Sequence, residues 1–264
     1  MKVSLIITTY NRPDALDKVL RSINKQSKLP YEVIIADDGS TNTTKKLIKT
    51  FQEESKFNII HSWQEDLGFR PARSRNKAIA RASGDYIVLI DGDMILDKNF
   101  INDHIKNSEK GFFIQGSRSL LSKNLTKKIL DGNRVNLNFF RKDLMNRKNS
   151  IRSYFLSKIF SDNKNSLSGI KTCNMSFFLD DFNIVNGFNN DIQGWGREDS
   201  EFCVRLMNAG IRRRNLRFSA VQFHLWHGLE NRNSLKKNDL ILKKTIDQKL
   251  IWCKSGVNEF TDEY

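Results

Sequence analysis

The sequence predicts an α/β fold, a Rossmann-like, mostly parallel sheet with helices on both faces, followed by an irregular C-terminal region. Short, nearly continuous apolar runs, Val3–Ile7 and Tyr86–Ile90, are strand-sized. Helix-period segments alternate with them, and strands covered on both faces by such crossovers lose the polar alternation of a half-exposed sheet. With 264 residues, 39% of them hydrophobic, the chain can close one large domain, or two small ones around a cleft.

A first strand is expected over Val3–Thr9, ended by Tyr10-Asn11-Arg12. Pro13 stands where a first-turn proline belongs. Leu16, Val19, Leu20 and Ile23 follow on one helical face, and Pro30 breaks the run. Glu32–Ala36 is the second strand, with Asp37-Asp38-Gly39-Ser40 turning at its end. Leu47, Ile48 and Phe51 mark the next helix, and a short strand spans Asn58–Ser62. Pro71 opens a helix running through Ala82, with Gly84 as its stop. Tyr86–Ile90, the most apolar strand, leads into Asp91-Gly92-Asp93. Ligands of parallel sheets bind beyond the carboxyl ends of the strands. Thr8–Tyr10, Asp37-Asp38 and Asp91–Asp93 all fall there.

The balance of 44 basic and 30 acidic residues gives a formal charge of +14. Such a chain is drawn to nucleic acid, an anionic membrane surface or phosphorylated substrates. From Arg118 to Lys164 the only acids are Asp131, Asp143 and Asp162, and Phe139, Phe140, Phe155 and Phe160 are interleaved with the bases. This stretch reads either as a helical insertion whose aromatics pack on the sheet, or as a surface docking on anionic lipid or a charged glycan. No segment approaches the roughly 18–20 apolar residues of a membrane span. The N-terminus lacks the pattern of a secretory signal, so a cytosolic location is expected. Cys173, Cys203 and Cys253 have no CxxC spacing and read as buried thiols, not as a disulfide framework or a zinc knuckle.

Three motifs carry chemistry. Asp91-Gly92-Asp93 puts two carboxylates around a glycine at a strand end, a pattern able to hold a hard divalent cation against a diphosphate. Gly194-Trp195-Gly196-Arg197-Glu198-Asp199 makes a bent loop presenting an aromatic face to a sugar ring. Its two acids then open a helix with Phe202 and Leu206 inward and Gly210 as its stop. Acids there cap a helix well, and one of them could also serve as general base for a hydroxyl. His224-Leu225-Trp226-His227 supplies paired imidazoles that could complete a metal site begun by Asp93.

Together, Thr8-Thr9-Tyr10-Asn11, Asp37-Asp38-Gly39-Ser40-Thr41 and Asp91-Gly92-Asp93 resemble the family 2 glycosyltransferases of GT-A fold. Gly194–Asp199 and His224–His227 are similar to the galactosyltransferase-type C-terminal region, as in β-1,4-galactosyltransferases and bacterial chondroitin-polymerase-like enzymes. The resemblance implies a UDP-sugar donor, with Thr8, Tyr10, Asp37 and Asp38 in the nucleotide pocket and Arg70 and Arg75 facing uracil or diphosphate. It further implies Asp91 and Gly92 at ribose or metal, and Asp93, His227 and His224 as ligands of Mn²⁺ or Mg²⁺. Trp195, Gly196 and Arg197 would bound the sugars, Glu198 would hold a donor hydroxyl, and Asp199 would be the base of an inverting displacement. Arg197 departs from the family's usual Gly or Glu and could read a negative group.

The expected organisation is a nucleotide-sugar half over residues 1–115 and an acceptor half over 116–230, with a basic insertion near 118–171. A helical tail is expected over 231–264. The implied acceptor is a glycan or lipid-linked glycan in lipopolysaccharide or capsule synthesis, at the cytoplasmic face of the inner membrane. A nucleotidyltransferase would more naturally carry a glycine-rich phosphate loop, and Thr8–Pro13 contains no glycine. A basic nucleic-acid-binding protein would fit the charge but would not need these motifs, so no nucleic-acid partner is expected.

Overall fold

β1 (Val3–Thr9) is buried at every position but Thr8, so it needs cover on both faces and a strand on each edge. The computed structural model, described for residues 1–228 and 232–261, supplies both. After β1 come α1 (Pro13–Ile23), β2 (Glu32–Asp37), α2 (Asn42–Glu54), β3 (Asn58–Trp63), α3 (Pro71–Ile79) and β4 (Tyr86–Asp91). Then follow β5 (Met94–Leu96), α4 (Phe100–Asn107), β6 (Phe112–Gln115), β7 (Ser119–Leu121), α5 (Lys123–Leu130), β8 (Leu144–Met145) and α6 (Tyr154–Phe160). The chain continues through β9 (Met175–Phe178), α7 (Leu179–Ile184), α8 (Glu198–Asn208), β10 (Arg212–Asn215), β11 (Gln222–His224) and α9 (Leu235–Asp247).

The main sheet has seven strands in the order β10-β6-β9-β4-β1-β2-β3. All run parallel except β9, which is antiparallel to both β4 and β6. Its reversal puts the residues before β9, Cys173-Asn174, at the edge where the other strands end. Alternate residues of the central strands feed two cores. Leu5, Ile7, Val33, Ile35 and Val88 pack under α1, α2 and α4, while Ile6, Ile34, Ile87 and Leu89 pack under α3, α7 and α8. Four fully buried phenylalanines, Phe177, Phe182, Phe188 and Phe202, back α8, with the Phe188 and Phe202 rings 4.3 Å apart.

A second, four-stranded sheet, β5-β11-β7-β8, grows directly from the acidic turn after β4. β11 pairs antiparallel with β5, His224 opposite Met94, and Leu225 N donates to Asp93 O at 2.9 Å. A histidine more than a hundred residues downstream is thereby delivered to the end of β4.

Several boundaries differ from expectation. α1 ends at Ile23, well before Pro30, because Gln26 turns inward: its amide donates to Asp97 O at 2.7 Å and its Oε1 accepts from Ile101 N at 3.1 Å. α3 ends at Ile79, not Ala82. Gly84 is not its left-handed stop; a Cβ there would lie 2.5 Å from Ser4 Oγ, so its role is close approach to β1. In the basic segment the packing is done by aliphatic residues: Leu121, Leu125, Ile129 and Leu144 form a third core with Val221, Phe223 and Leu225. Phe140 (84% exposed), Phe155 (70%) and Phe160 (52%) do not pack on the sheet. Beyond α9 the described tail returns to the domain, where Phe260 is fully buried beneath the Arg73 guanidinium, 4.8 Å from its ring centroid. The described tail is helical over α9 and again in a short 3-10 turn, Val257–Glu259, and residues 231 and 262–264 lie outside the described residues.

Candidate active site

The turn after β4 is pressed against the end of β1: Gly92 N donates to Thr8 O at 2.7 Å, and a Cβ on Gly92 would meet Thr9 Oγ1 at 2.9 Å. Only glycine fits without displacement, and the two flanking carboxylates are held apart on the strand end. Asp93 Oδ2 lies 3.2 Å from His224 Nε2, 3.5 Å from His227 Nε2 and 3.7 Å from Arg12 NH1. Burial pushes the Asp93 carboxyl up, but the His224 hydrogen bond and the charges of His224, His227 and Arg12 more than offset this, leaving it below the usual range. One ligand atom each from Asp93, His224 and His227 lies within 4.8 Å of the others. Asp93 Oδ1 and Arg12 NH1 are buried without a hydrogen-bond partner. A carboxylate and two imidazoles converging on one point, with a carboxylate oxygen left over, suit a divalent cation.

Asp91 points toward α3. Burial raises its pKa, and Arg75 NH2 at 3.5 Å offsets part of the rise. Arg75 is buried, its Nε donating to Thr8 Oγ1 at 3.0 Å and its NH1 reaching Glu198 Oε1 at 3.4 Å. One guanidinium therefore joins β1, the acidic turn and the start of α8.

At the end of β2, Asp38 accepts from Arg70 N at 2.7 Å and from Gln64 Nε2 at 2.5 Å. Burial raises its pKa despite these donors. Tyr10 is partly exposed above this turn and donates to Asp66 at 2.9 Å. Arg70 is tied to Glu65 O, with its Nε buried and unpartnered. Asp37 is not brought to the cleft: it is fully buried, accepting from Ser40 N at 2.8 Å and meeting His61 Nε2 at 2.8 Å. Asp38, one residue past β2, is also buried, and its two oxygens are engaged by Gln64 and Arg70 where those of Asp37 are engaged by Ser40 and His61.

The loop before α8 is bent by three positive φ values, Gly194 (+73°), Gly196 (+99°) and Arg197 (+79°). The non-glycine in that region is strained, and α9 holds it there. Asn238, fully buried, donates to Gln193 O at 3.1 Å and to Gly196 O at 2.9 Å. Asp239 accepts from Arg197 Nε at 2.6 Å, and Arg232 lies 4.6 Å from the Trp195 ring centroid. Arg197 is thus already paired within the chain. α8 is locked in turn by a buried Glu201–Arg205 pair, 2.8 Å, with Thr245 of α9 donating to Glu201 at 3.0 Å. Glu198 Oε2 is buried without a partner. Asp199, one residue on, accepts from Ser200 N at 2.6 Å. Burial, then repulsion from Glu198, push its carboxyl up to about 7.

The family model for glycosyl transferase family 2 matches residues 4–168, and the model described as the N-terminal domain of galactosyltransferase matches residues 156–228. The chain belongs to glycosyl transferase family 2. The chain is 26% identical over 239 residues to hyaluronan synthase of Pasteurella multocida, covering 79% of this chain and 23% of that one. It is 24% identical over 266 residues to chondroitin synthase of Pasteurella multocida, covering 94% and 27%. It thus spans about a quarter of the length of these relatives. Crystal structures of TarS 1–349 from S. aureus share the GT-A fold. The TM-score is 0.62 at 15% identity, covering 98% of this chain and 68% of that one. The form in complex with UDP gives 0.60 at 16%, covering 92% and 64%.

The unpartnered buried atoms of Arg12 and Asp93 meet at one side of the acidic turn, and Arg75 ties Asp91 of the same turn to Glu198, whose Oε2 is also unpartnered. Buried polar groups are rarely left unpaired, so their gathering marks a place for a ligand. Arg12 and Asn238 were not singled out by sequence. Arg12 read only as part of the turn that ends the first strand, and Asn238 lies 42 residues from the carbonyl of Gly196 that it holds, with no motif around it.

Proposed function

We propose that this transferase is an inverting, metal-dependent enzyme that moves a hexose or N-acetylhexosamine from a UDP-sugar to a hydroxyl of a glycan acceptor. The observation that carries the reading is the convergence of Asp93, His224 and His227 beside Arg12. Those residues would hold Mn²⁺ or Mg²⁺, which when bound neutralises charge on a departing diphosphate. Carboxylate with imidazole suits Mn²⁺ somewhat better. Asp38 would accept from the base of the nucleotide, with Tyr10 and Arg70 at the rim. Thr8, Arg75, Asp91 and Gly92 would line the path of the diphosphate. Trp195 and Gly196 would bound the sugars and Glu198 would accept from a donor hydroxyl. Asp199 would take the proton of the attacking hydroxyl. Support for the donor class comes from the fold shared with TarS structures in complex with UDP and with UDP-GlcNAc.

The first experiment is UDP release by the purified protein with Mn²⁺ from UDP-Glc, UDP-Gal, UDP-GlcNAc and UDP-GalNAc, with and without EDTA. Release from one donor, abolished by EDTA, is expected. No release together with no metal-dependent UDP binding by calorimetry would remove the nucleotide reading.

For location, we propose peripheral contact with an anionic membrane at the cytoplasmic face, serving lipopolysaccharide or capsule synthesis. Among the described residues no helix is long and apolar enough to cross a membrane. The surface that supports contact is α6 and its approach, where Tyr154, Phe155, Ile159 and Phe160 are exposed near Arg147, Lys148 and Lys158. Basic residues near an anionic surface contribute ~1 kcal/mol each. Flotation with anionic liposomes at low salt is expected to carry the protein upward and neutral liposomes to leave it behind; equal behaviour on both would exclude an electrostatic contact.

A further inference from the structure

A cavity of about 170 Å³ lies beside the acidic turn, lined among others by Gly116 and Arg118 after β6, by Asn146 and Asn149, and by Lys171 and Cys173 before β9. We propose that this cavity receives an anionic group, a carboxylate or phosphate, borne by one of the transferase's sugar substrates, with Arg118 and Lys171 as the recognising cations. The inference rests on the sugar-transfer reading above and narrows its substrate class.

The cavity's lining contains two cations and no acid. The only hydrogen bond of the half-buried Arg118 side chain among the described residues goes to Cys173 Sγ at 3.2 Å. A thiol is a weak acceptor, and burial keeps this one neutral by pushing its pKa up to about 11. Arg118 thus borders the hollow with most of its donors unspent on protein oxygen. Lys171, exposed at the mouth, is in no ion pair among the described residues. Arginine's planar fork matches carboxylate and phosphate oxygens, and ionised hydrogen bonds are roughly twice as strong as neutral ones.

The walls are pre-formed. Asn174, fully buried, donates to Ser117 O at 2.7 Å and to Ala220 O at 2.9 Å. It packs so closely under Gly116 that a Cβ there would lie 2.3 Å from its Oδ1. Asn149 Nδ2 holds Arg118 O at 2.9 Å. A cation fixed in this way loses little freedom when a ligand arrives.

Position along the sheet edge agrees. With the base of the nucleotide at the ends of β1 and β2 and the diphosphate at β4, the next strand termini in order are those of β9 and β6. The loops at those termini form the cavity. The charge of Asp91 reaches both Arg118 and Cys173, so the hollow adjoins the acidic turn. The anionic group could stand on the donor's own sugar or on the acceptor.

The two sources are separated by two assay arms, each run after UDP binding with Mn²⁺ has been checked by calorimetry. One arm compares UDP-glucuronate with UDP-glucose as donors. The other compares uronate-terminated and phosphate-bearing oligosaccharide acceptors with their carboxyl-reduced and dephosphorylated forms. Wild-type kcat/KM is expected to favour the charged member of one arm by roughly 10- to 100-fold. Arg118→Gln should bring that ratio to about one, and Lys171→Gln, at an exposed position that does not risk the fold, should lower it severalfold. Neutral and charged members used equally by the wild type in both arms would overturn the proposal. So would a preference that survives in Arg118→Gln and Lys171→Gln alike. Absent UDP binding in the wild type would instead overturn the nucleotide reading beneath it.

Discussion

Asp93→Ala is expected to abolish Mn²⁺-dependent UDP binding, with sugar transfer lost alongside it. Asp93 is the only carboxylate among the three converging donors, and its Oδ1 is buried with no protein partner. Losing an outer partner of a metal ligand typically weakens metal affinity ~10–100-fold, and loss of a carboxylate ligand itself should cost more. The variant should fold, because Gly92 and the Leu225–Asp93 backbone bond set the turn, and neither depends on the carboxylate. Calorimetry of UDP with and without Mn²⁺ gives the answer. UDP affinity equal to wild type in the presence of Mn²⁺ would sink the metal assignment.

Asp199→Asn is expected to lower turnover ~10²–10⁴-fold, the usual contribution of a general base, while UDP still binds. Two pH effects accompany it. A base must be ionised, and a carboxyl held at about 7 is largely protonated at pH 6. Wild-type kcat/KM should therefore climb with pH and level off above about 7. Stability should move the other way. An ordinary Asp titrates near ~3.9 in the unfolded chain, so between that value and about 7 the folded state binds more protons than the unfolded state. Wild-type stability then falls as pH rises through this window, and the loss is complete above it. Removing the ionisable group removes the loss, so the variant should melt higher than wild type at pH 8, with the gap closing toward pH 4. A variant with near-wild-type turnover would defeat the base assignment. One that is inactive but melts lower at pH 8 would point to misfolding of the α8 start.

Much of the first half could be read from residue pattern alone. The apolar runs of β1, β2 and β4 leave few other structures open, because each must be buried on both faces. That forces Thr8, Asp38 and Asp91–Asp93 onto one edge. The pattern also named the Gly-Trp-Gly-Arg-Glu-Asp loop, since two glycines around a tryptophan have no role inside a regular helix. Where the sequence reading was too generous, the reason is local. Asp37 and Asp38 look alike in the chain, and only the tertiary structure separates the one bound to Ser40 and His61 from the one bound to Gln64 and Arg70.

The sequence by itself therefore determined the α/β class, the edge that carries the chemistry and the residue types of each motif, because hydrophobic period and local turn chemistry are short-range properties. Only the tertiary structure decided which of those residues meet. His224 reaches Asp93 because β11 pairs with β5, and Arg75, which contacts Asp91, reaches Glu198 across 123 positions of chain. Arg197, open to a substrate in the sequence, is taken by Asp239 once α9 folds over the loop. Arg118 and Lys171 share a cavity because β9 runs backwards between β4 and β6. Such meetings are fixed by long-range strand pairing and packing, whose partners leave no mark on the local sequence around either residue.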